Sequence, residues 1–489
     1  MAPDVIVVGA GHNGLTCAAY LARAGRSVTV VEARGTVGGC ASTVDAIGAR
    51  VNICNCDHTM ILASGIVEEL GLAAHGLRYL DVDPVEVAIG WGDEPAFVQY
   101  RSVDRTIARL AQVEGHAVAD AYRRYVDATL PVARLVLAAA ATPPSFGALL
   151  RLAGPRTAAL LLSWRRRSLF DVLGSFGLPP WIQAAFATTG PGVWGVSPAA
   201  PGTGMAAVGP VVRHLAGVGR PAGGSGALPA ALAAVLTAHG GTIRTGAAVA
   251  GLVVTDGAVR GVRLADGTRL AAPTVVCAVD PRTVLVDWLP PALRRPAGPV
   301  LSGYESKVDA VIGSLPAFRA LSDVDVEPHV ATTIVSPPPA RQSLGVTGRV
   351  SDPPMFLVNI PSVLDPAMRP PGGGHLLSLE VLWTPYGAPL EPRGWLSALA
   401  SLAEPGFLDG LGDWRAMLPE DYERDFGLAR GYAPSFSGGP LSALLGRDRA
   451  LTRYTTPVRG LFLTGAGTFP GAGVWGASGR NTAHAVVHA

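Results

Sequence analysis

The chain has 489 residues, a length that predicts two domains. Hydrophobic residues make up 49% of it, and the mean hydropathy of +0.33 is high for a soluble enzyme. The formal net charge of +2 argues against a nucleic-acid partner. The five cysteines form no C-x-x-C pair, which predicts a reducing cytoplasm rather than a disulfide framework. We expect no signal peptide and no membrane-spanning helix, since a charged leader and a long apolar run are both missing.

The first forty residues read as strand, glycine turn, helix and second strand. Val5–Val8 is a short β-branched run, typical of a buried parallel strand. Residues 15–24 read as a helix, and Gly25 stands where a C-terminal glycine belongs. Residues 27–31 read as the next strand, which Glu32 ends. This order predicts one unit of a doubly wound sheet.

Gly9, Gly11 and Gly14 follow the first strand in G-x-G-x-x-G spacing. Gly9 permits a tight turn, Gly11 lets a diphosphate approach the backbone, and Gly14 lets helix and strand pack closely. The helix N-terminus supplies free N–H groups and a positive dipole end for the phosphates. Glu32 lies eighteen residues after Gly14, where a carboxylate accepts hydrogen bonds from ribose hydroxyls. Together these residues predict a dinucleotide site.

A second glycine pair, Gly38-Gly39, follows closely and can bring more backbone N–H groups to the diphosphate. Arg34 adds a fixed cation. This extension resembles the FAD signature of flavin amine oxidases and phytoene desaturases. One departure is Cys40, which stands where many of these desaturases carry an arginine.

A dense polar and thiol cluster follows in residues 52–58, with Cys54, Cys56 and His58. It is either a loop near the flavin or a loop whose polar side chains satisfy their own backbone. A metal site is a third alternative, although C-x-C-x-H lacks the usual zinc spacing. The three alternatives stay open.

Residues 80–100 alternate between apolar and polar residues and are predicted to form strands, and residues 101–175 are predicted to form helices. Residues 133–141 and 157–164 are strongly apolar, and Arg165-Arg166-Arg167 follows the second stretch. A helical subdomain over the substrate cavity explains this pattern. The alternative is a peripheral contact with a bilayer, with the arginines at the level of the head groups.

The middle of the chain then returns to α/β patterning. Residues 190–226 are rich in glycine and proline and are predicted to form loops with one helix near 206–216. A helix over 228–239 precedes strands at 242–244, 249–255, 258–264 and 274–278, with a hairpin turn at Asp266-Gly267. Further strands at 308–312, 355–360 and 376–382 join residues 80–100 in one antiparallel sheet, the floor of a substrate cavity.

The C-terminus carries a third landmark. Residues 461–467 read as a strand running into a glycine turn, and residues 477–487 read as a helix. The N-terminus of that helix can aim N–H groups at the flavin pyrimidine edge and so stabilise the negative charge of the reduced cofactor.

All three landmarks together resemble the phytoene desaturase and carotenoid isomerase branch of the FAD-dependent amine oxidase superfamily. The resemblance implies an α/β fold. A split Rossmann-type FAD domain (1–75, 221–290, 455–489) carries an inserted α+β substrate domain (76–220, 291–454), built from an antiparallel sheet and a helical subdomain. The residues then expected to contact FAD are Gly9, Gly11, Asn13, Gly14, Glu32, Ala33, Arg34, Gly38, Gly39, Cys40, Ala41, Gly465, Gly473, Val474 and Trp475, and the backbone of Val249 at the adenine.

The implied activity is FAD-dependent desaturation or oxidation of an apolar, isoprenoid-like or lipid-like molecule by hydride transfer to flavin N5. The alternatives are a non-redox FAD protein, such as a carotenoid isomerase or an interaction protein, and an amine oxidase. We expect a cytoplasmic protein, with or without the membrane contact. The sequence predicts no oligomeric state.

Lys307 is the only lysine, against thirty-eight arginines, and lies at the edge of a predicted strand. A compact, titratable ammonium is not interchangeable with a guanidinium. The position resembles that of the lysine that holds a water near N5 in flavin amine oxidases, so we predict that Lys307 faces the flavin as a catalytic residue. The alternative is a lone exposed lysine.

Overall fold

The computed structural model describes residues 2–54, 56–141, 146–296, 301–324, 326–342, 350–433, 436, 442–443 and 445–489. In chain order the strands are β1 Val5–Val8, β2 Val28–Val31, β3 Thr43–Ala46, β4 Ala49–Asn52, β5 Tyr79–Val82, β6 Glu86–Gly90, β7 Phe97–Gln99, β8 Val218–Pro221, β9 Thr242–Arg244, β10 Val249–Thr255, β11 Ala258–Leu264, β12 Arg269–Ala271, β13 Thr274–Cys277, β14 Tyr304–Ile312, β15 Thr333–Ser336, β16 Phe356–Asn359, β17 His375–Thr384, β18 Leu411–Met417 and β19 Leu461–Leu463.

The α-helices are α1 His12–Arg23, α2 Met60–Ala63, α3 Ile66–Glu69, α4 Val103–Glu114, α5 His116–Ala141, α6 Phe146–Trp164, α7 Leu169–Gly174, α8 Pro180–Thr189, α9 Gly209–Ala216, α10 Ala227–Ala238, α11 Pro339–Gln342, α12 Pro361–Leu364, α13 Pro392–Ala400, α14 Pro419–Phe426, α15 Arg449–Thr452 and α16 Ala477–Val487. Shorter 3₁₀ turns include Pro191–Trp194 and Thr203–Val208.

The first sheet is parallel, with five strands in the order β19-β13-β1-β2-β9. Its strands come from three separated parts of the chain, and each neighbouring pair is parallel. β1 is buried on both faces, which explains its uninterrupted β-branched sequence. Helices α1 and α16 pack against each other beside it, and α10 packs against α1. The predicted split α/β fold is confirmed.

The second sheet has seven strands in the order β18-β14-β17-β16-β15-β6-β7. The prediction that it is wholly antiparallel is wrong at one pair, because β15 runs parallel to β6. A parallel pair needs a long crossover between its strands. Here more than two hundred residues, including helices α4 to α9, separate β6 from β15.

The two faces of this seven-stranded sheet differ. One face is apolar along its length and packs against residues such as Trp395, Leu396 and Phe407. The other face carries an apolar cluster that extends from β7 to Leu382 on β17, and helices α5, α7, α8 and α9 form a cap over it. Towards β14 and β17 this second face carries buried charged side chains. We call it the inner face.

The cap confirms the predicted helices between residues 101 and 175. Helix α5 contains Pro131, and α6 is interrupted at Gly154, which has φ +65°. The helix predicted near 206–216 is a 3₁₀ turn followed by α9. Of the helices that the structure describes, none combines the length and the apolar character needed to cross a membrane.

The β3–β4 hairpin is an element that the sequence pattern did not predict. Its strands join at Ile47-Gly48, both with positive φ. Asp45 and Arg50 interrupt the apolar pattern, because they face outward at the exposed side of the ribbon. The hairpin carries the chain from the second glycine pair to the inner face of the large sheet.

Candidate functional site

The first glycine turn has the geometry that its spacing predicts. Gly9 has φ +99°, and a Cβ on Gly14 would stand 2.1 Å from the carbonyl oxygen of Gly9. A side chain at Gly14 would therefore separate α1 from the turn. In contrast, a Cβ on Gly11 would meet no atom within 4 Å. The Gly11 side of the turn is open, and the N-terminus of α1 begins there.

Glu32 at the end of β2 closes one side of this turn. Its Oε2 accepts the N–H of Ala10 at 2.7 Å, and its Oε1 accepts the N–H of Arg34 at 2.9 Å. A carboxylate has about four lone-pair directions, so each oxygen keeps capacity for a hydroxyl donor. The side chain is thus fixed by the backbone and still able to bind a ribose.

The second glycine pair lies directly against the first turn. The N–H of Gly38 donates to the carbonyl of Ala10 at 2.8 Å, and a Cβ on Gly39 would stand 3.4 Å from Gly11 Cα. Arg34 Nη1 lies 3.4 Å from the Gly39 carbonyl oxygen. Its guanidinium also stacks over the Phe426 ring, 4.4 Å from the centroid.

The C-terminal glycine loop meets the same turn. A Cβ on Gly479 would stand 2.2 Å from the carbonyl oxygen of Asn13, so α1 and α16 require glycine at this contact. The N–H of Gly465 donates to Ser478 Oγ at 3.0 Å. His12 Nε2 lies 3.2 Å from the Gly473 carbonyl oxygen, and burial lowers the pKa of His12 to about 4.

The other residues expected to contact FAD differ in their solvent exposure. Ala41 is buried, whereas Ala33 is exposed. Val249 opens β10, and Ala247 just before it donates its N–H to the carbonyl of Glu32 at 2.8 Å. Cys40, Val474 and Trp475 are half-buried.

These residues fit a flavin dinucleotide. An open glycine turn, a helix N-terminus and a backbone-held carboxylate are what a diphosphate and a ribose require. Asn13 Oδ1 is buried and, among the described residues, accepts no hydrogen bond. Gly9, Gly11, Gly14, Asn13 and Glu32 would hold the dinucleotide, and the bound FAD supplies an acceptor for a hydride.

Lys307 lies on the inner face, in the middle of β14, and is 1% exposed. The alternative of an exposed lysine is therefore wrong. Its ammonium donates to the carbonyl oxygen of Asn52 at 2.6 Å and to Asp309 Oδ1. Asp309 also pairs with Arg415, 3.1 Å from its Nη2. Two oxygen partners therefore surround this buried ammonium, as a buried cation requires.

A second buried ion pair lies on the same face, nearer the cap. Arg220 Nε donates to Asp57 Oδ1 at 2.7 Å, and Arg220 Nη2 donates to Asn359 Oδ1 at 2.6 Å. Thr332 donates its hydroxyl to the other oxygen of Asp57. Arg220 is 2% exposed, so this network fixes the loop after β4 to the sheet.

Two more carboxyl groups, Glu305 and Glu380, lie on the inner face beside Lys307, and a third, Glu86 on β6, pairs with Arg213 at 2.8 Å; the sequence reasoning missed all three. Burial raises the pKa of Glu380 well above its usual range, and the neighbouring Glu305 adds to the shift. Cys54 donates its thiol to Glu305 Oε1 over 3.7 Å. A hydrogen bond with Cys40, together with burial, raises the pKa of Cys54. The available signal was Glu380 itself, an acid within the apolar run of β17.

The structure assigns different partners to the thiol and histidine cluster. His58 is fully buried, with Nδ1 3.0 Å from Tyr79 Oη and Nε2 3.2 Å from Ser225 Oγ. Cys54 faces Glu305, and Cys56 is buried. Within the described part of the chain, no three His, Cys, Asp or Glu side chains are grouped to hold a metal ion.

A dinucleotide turn beside a second sheet with a charged inner face fits a flavoprotein oxidoreductase. The pattern of the flavin-containing amine oxidoreductase family matches residues 193–487, and that of an NAD(P)-binding Rossmann-like domain matches residues 7–66. The chain belongs to the flavin-containing amine oxidoreductase family and is an FAD-dependent oxidoreductase. The predicted family, cofactor and enzyme class are confirmed.

Proteins with different names align with nearly the whole chain. This chain is 29% identical to pyridine nucleotide-disulfide oxidoreductase domain-containing protein 2 of Rattus norvegicus, over 99% of this chain and 93% of the relative. It is 27% identical to hydroxyneurosporene desaturase of Cereibacter sphaeroides, over 99% and 97%. The fold is similar to cyclohexylamine oxidase from Brevibacterium oxydans, with TM-score 0.60, 16% identity and coverage of 100% and 99%.

Proposed function

We propose that this enzyme desaturates or oxidises an apolar small molecule, isoprenoid-like or lipid-like, with the flavin as hydride acceptor. The supporting observation is the inner face of the seven-stranded sheet. Under the cap it carries an apolar cluster that includes Leu357 and Leu382, and its buried charged side chains lie on either side of that cluster, Glu86 with Arg213 at the β6 end and Glu305, Lys307 and Glu380 at the β14–β17 end. A substrate lying under the cap would meet hydrocarbon side chains over most of its length.

The full-length relatives are in line with this proposal. Hydroxyneurosporene desaturase and the lycopene-forming phytoene desaturase of Pantoea ananas both cover 98% or more of the chain, and their names describe desaturation. A dry, apolar site favours hydride chemistry because it excludes water from the reacting carbon.

The test is anaerobic reduction of the bound flavin. Isoprenoids, carotenoid precursors, fatty acyl compounds and amines are added separately, and the loss of flavin absorbance is followed with the mass of the product. The proposal expects bleaching by an apolar compound and a product lighter by two hydrogens. Bleaching by amines alone would replace the proposal with an amine oxidase, and product isomerisation without bleaching would replace it with a non-redox enzyme.

We also propose that Lys307 acts at the flavin. Lys307 is the one lysine of the chain, and its ammonium is held at Asn52, eight residues before the Met60–Ala63 helix and at the end of the hairpin that follows the second glycine pair. A fixed ammonium at this place would stabilise negative charge on reduced flavin or assist oxygen in accepting electrons.

Lys307→Met and Lys307→Arg test this role, with flavin content measured first. The rates of flavin reduction by substrate and of reoxidation by air are compared with wild type. Loss of reoxidation alone would indicate an oxidase, and loss of reduction alone would indicate a role in substrate chemistry. A fully loaded Lys307→Met protein with both rates unchanged would remove Lys307 from the site.

A peripheral membrane contact is the third part of the proposal. Leu162 near the end of α6 is 61% exposed, and Arg165 and Arg166 directly after this helix are exposed as well. An apolar side chain flanked by arginines is typical of a surface that binds at the head-group level. Such a contact would let an apolar substrate reach the cap from the bilayer.

Flotation with anionic vesicles tests the contact. Arg165→Gln with Arg166→Gln should reduce binding, and Leu162→Asp should reduce it further. The matched control removes the same charge from β11 and β12, with Arg260→Gln and Arg269→Gln, two exposed arginines away from the cap. Equal losses of vesicle binding in the two double variants would indicate general charge attraction. If wild type does not float with the vesicles, this part of the proposal is wrong.

A further inference from the structure

Two cysteines meet at the open end of the β3–β4 hairpin. Cys40 directly follows the second glycine pair, and Cys54 lies two residues beyond β4, on the loop that leads to α2. The N–H of Ile53 donates to the carbonyl of Ser42 at 2.9 Å, which continues the pairing of the two strands past the end of the hairpin. The thiols of Cys40 and Cys54 are hydrogen-bonded to each other.

The other three cysteines of the chain have different surroundings. Cys17, Cys56 and Cys277 are 0%, 3% and 0% exposed, and burial raises the pKa of each thiol. Buried thiols of this kind are chemically inert. Cys40 and Cys54 are both half-buried. The two thiols that solvent reaches most readily are therefore the two that contact each other.

The two thiols of this pair differ in their partners. Cys54 also donates to Glu305 Oε1 over 3.7 Å, and the hydrogen bond with Cys40 together with burial raises the pKa of Cys54 well above its usual range. Oxidants react with the thiolate form of cysteine, so Cys54 is the poorer first target. Cys40 is then the thiol that an oxidant meets first, and Cys54 is placed to react with the product.

Oxidation of such a pair by hydrogen peroxide balances without a further reactant. The peroxide O–O bond breaks as one oxygen is transferred to the Cys40 sulfur, which gives a sulfenic acid and one water. The Cys54 sulfur then displaces the hydroxyl group, which takes up the Cys54 proton and leaves as a second water. The two thiols lose two electrons and two hydrogens in all, and one peroxide becomes two waters.

We propose that Cys40 and Cys54 are a redox-sensing pair, which hydrogen peroxide closes to a disulfide and which small thiols open again by exchange. Hydrogen peroxide forms when oxygen takes two electrons from a reduced flavin, so a flavoprotein meets this oxidant at its own site. In a reducing compartment a disulfide of this kind is transient, as a sensor requires. The inference concerns the chain's own thiols and holds for any substrate of the enzyme.

The disulfide would act on the flavin site through the hairpin. Closing the bond removes the Cys54 thiol from Glu305 Oε1, and Asn52, two residues before Cys54, holds the Lys307 ammonium. Cys40 is itself among the residues expected to contact FAD. Both ends of the new bond are thus attached to segments expected at the cofactor. The oxidised protein should therefore bind FAD more weakly than the reduced protein.

Counting thiols in FAD-loaded protein tests the pair. Denatured after reduction, wild type should show its five thiols, and after treatment with peroxide it should show three. The chain mass should fall by two hydrogens, and dithiothreitol should restore all five thiols. Trypsin cuts after Arg34, Arg50 and Arg78, so the bond should join the peptides 35–50 and 51–78 in a non-reducing digest.

Single variants identify the two sulfurs. Cys56→Ser is the matched control, because Cys56 lies in the same peptide as Cys54 and is buried. This variant should still form the link between the two peptides. Cys40→Ser and Cys54→Ser should form no link and should keep all four of their thiols after peroxide.

Fluorescence titration of FAD into apoprotein tests the action on the flavin site. Oxidised wild type should bind FAD more weakly than reduced wild type, and dithiothreitol should restore the affinity. Cys56→Ser should behave like wild type in this respect. Cys40→Ser should bind FAD equally well before and after peroxide, whatever its own affinity is.

The contrary outcomes are distinct. Five thiols after peroxide, a link through Cys56, a link between two chains, or a sulfinic acid on Cys40 without a link would each overturn the pair. Equal FAD affinity of linked and reduced wild type would overturn the action on the flavin site. None of these measurements uses a substrate, so failure of the proposed desaturation leaves them unchanged.

Discussion

Gly11→Ala should weaken FAD binding without weakening the fold. The backbone of Gly11 has φ −69° and ψ 167°, which any L-residue can adopt, and a Cβ there would meet no protein atom within 4 Å. Gly11→Ala should therefore leave the FAD-free protein as stable as wild type, or more stable by about 0.4–1 kcal/mol through the restricted unfolded chain. The added methyl would occupy the open side of the turn, where the diphosphate is expected.

Overpacking by one methyl costs about 1–3 kcal/mol, which corresponds to a loss of FAD affinity of roughly 5- to 150-fold. Gly14→Ala provides the contrast. Its Cβ would stand 2.1 Å from a backbone oxygen, so the FAD-free protein itself should be destabilised. Gly372→Ala, at an exposed position with no described atom within 4 Å, should leave FAD affinity unchanged and should shift stability by no more than the same unfolded-chain effect.

The measurements are titration of FAD into apoprotein by fluorescence quenching and thermal unfolding without FAD. The reasoning would be refuted by Gly11→Ala binding FAD as tightly as wild type, because the open side of the turn would then not face the diphosphate. Equal destabilisation of the Gly11 and Gly14 variants without FAD would contradict the geometry of the turn.

Three further predictions follow from other contacts. Glu32→Ala should weaken FAD binding by about 1.5–3 kcal/mol, measured by titration, since ribose loses a charged acceptor; an unchanged Kd would place the ribose elsewhere. Arg220→Met should cost about 3–5 kcal/mol in chemical denaturation by removing the cation of a largely buried ion pair, whereas Arg101→Met, from an exposed pair, should cost less than about 1 kcal/mol. Burial lowers the pKa of His58 to about 3, so the unfolded chain binds more protons than the folded chain below pH 6.5 and stability falls as the pH decreases. The loss of folding free energy reaches about 2 kcal/mol by pH 5. A His58→Gln protein should therefore show a smaller difference in Tm between pH 7.5 and pH 5 than wild type.

The dinucleotide turn was predictable from sequence because its chemistry is local. Gly9, Gly11 and Gly14 lie within six residues; Gly9 is required by its positive φ and Gly14 by its close approach to the carbonyl oxygen of Gly9. Glu32 follows at the end of the next strand, and its carboxylate binds backbone N–H groups of the same unit. The spacing of residues in the sequence can predict such a site because one βαβ unit sets the distances between the site residues.

The inner face was not predictable in the same way. Lys307 was predicted as a site residue because it is the only lysine of the chain, but its partner Asn52 lies 255 residues away in the sequence. Glu380 comes to its side only through the register of β14 and β17, and Arg220 reaches Asn359 across 139 residues. The alternation of residues along β17 indicates which side chains share a face of the strand. It does not indicate which strand pairs with β17. The parallel β15–β6 pair escaped prediction for the same reason.

The cost of the inner face argues that it is retained for chemistry. Burying an ion pair costs several kcal/mol per charge in desolvation, and well-packed apolar residues at such positions are often more stabilising. This chain buries Lys307, Asp309, Arg220 and two further acids on one sheet face, while the opposite face of the same strands is mostly apolar. Stability alone would favour apolar residues on both faces. The charges lie where the hairpin that follows the glycine turns meets the apolar cluster beneath the cap, which is where the proposed oxidation of an apolar substrate would take place.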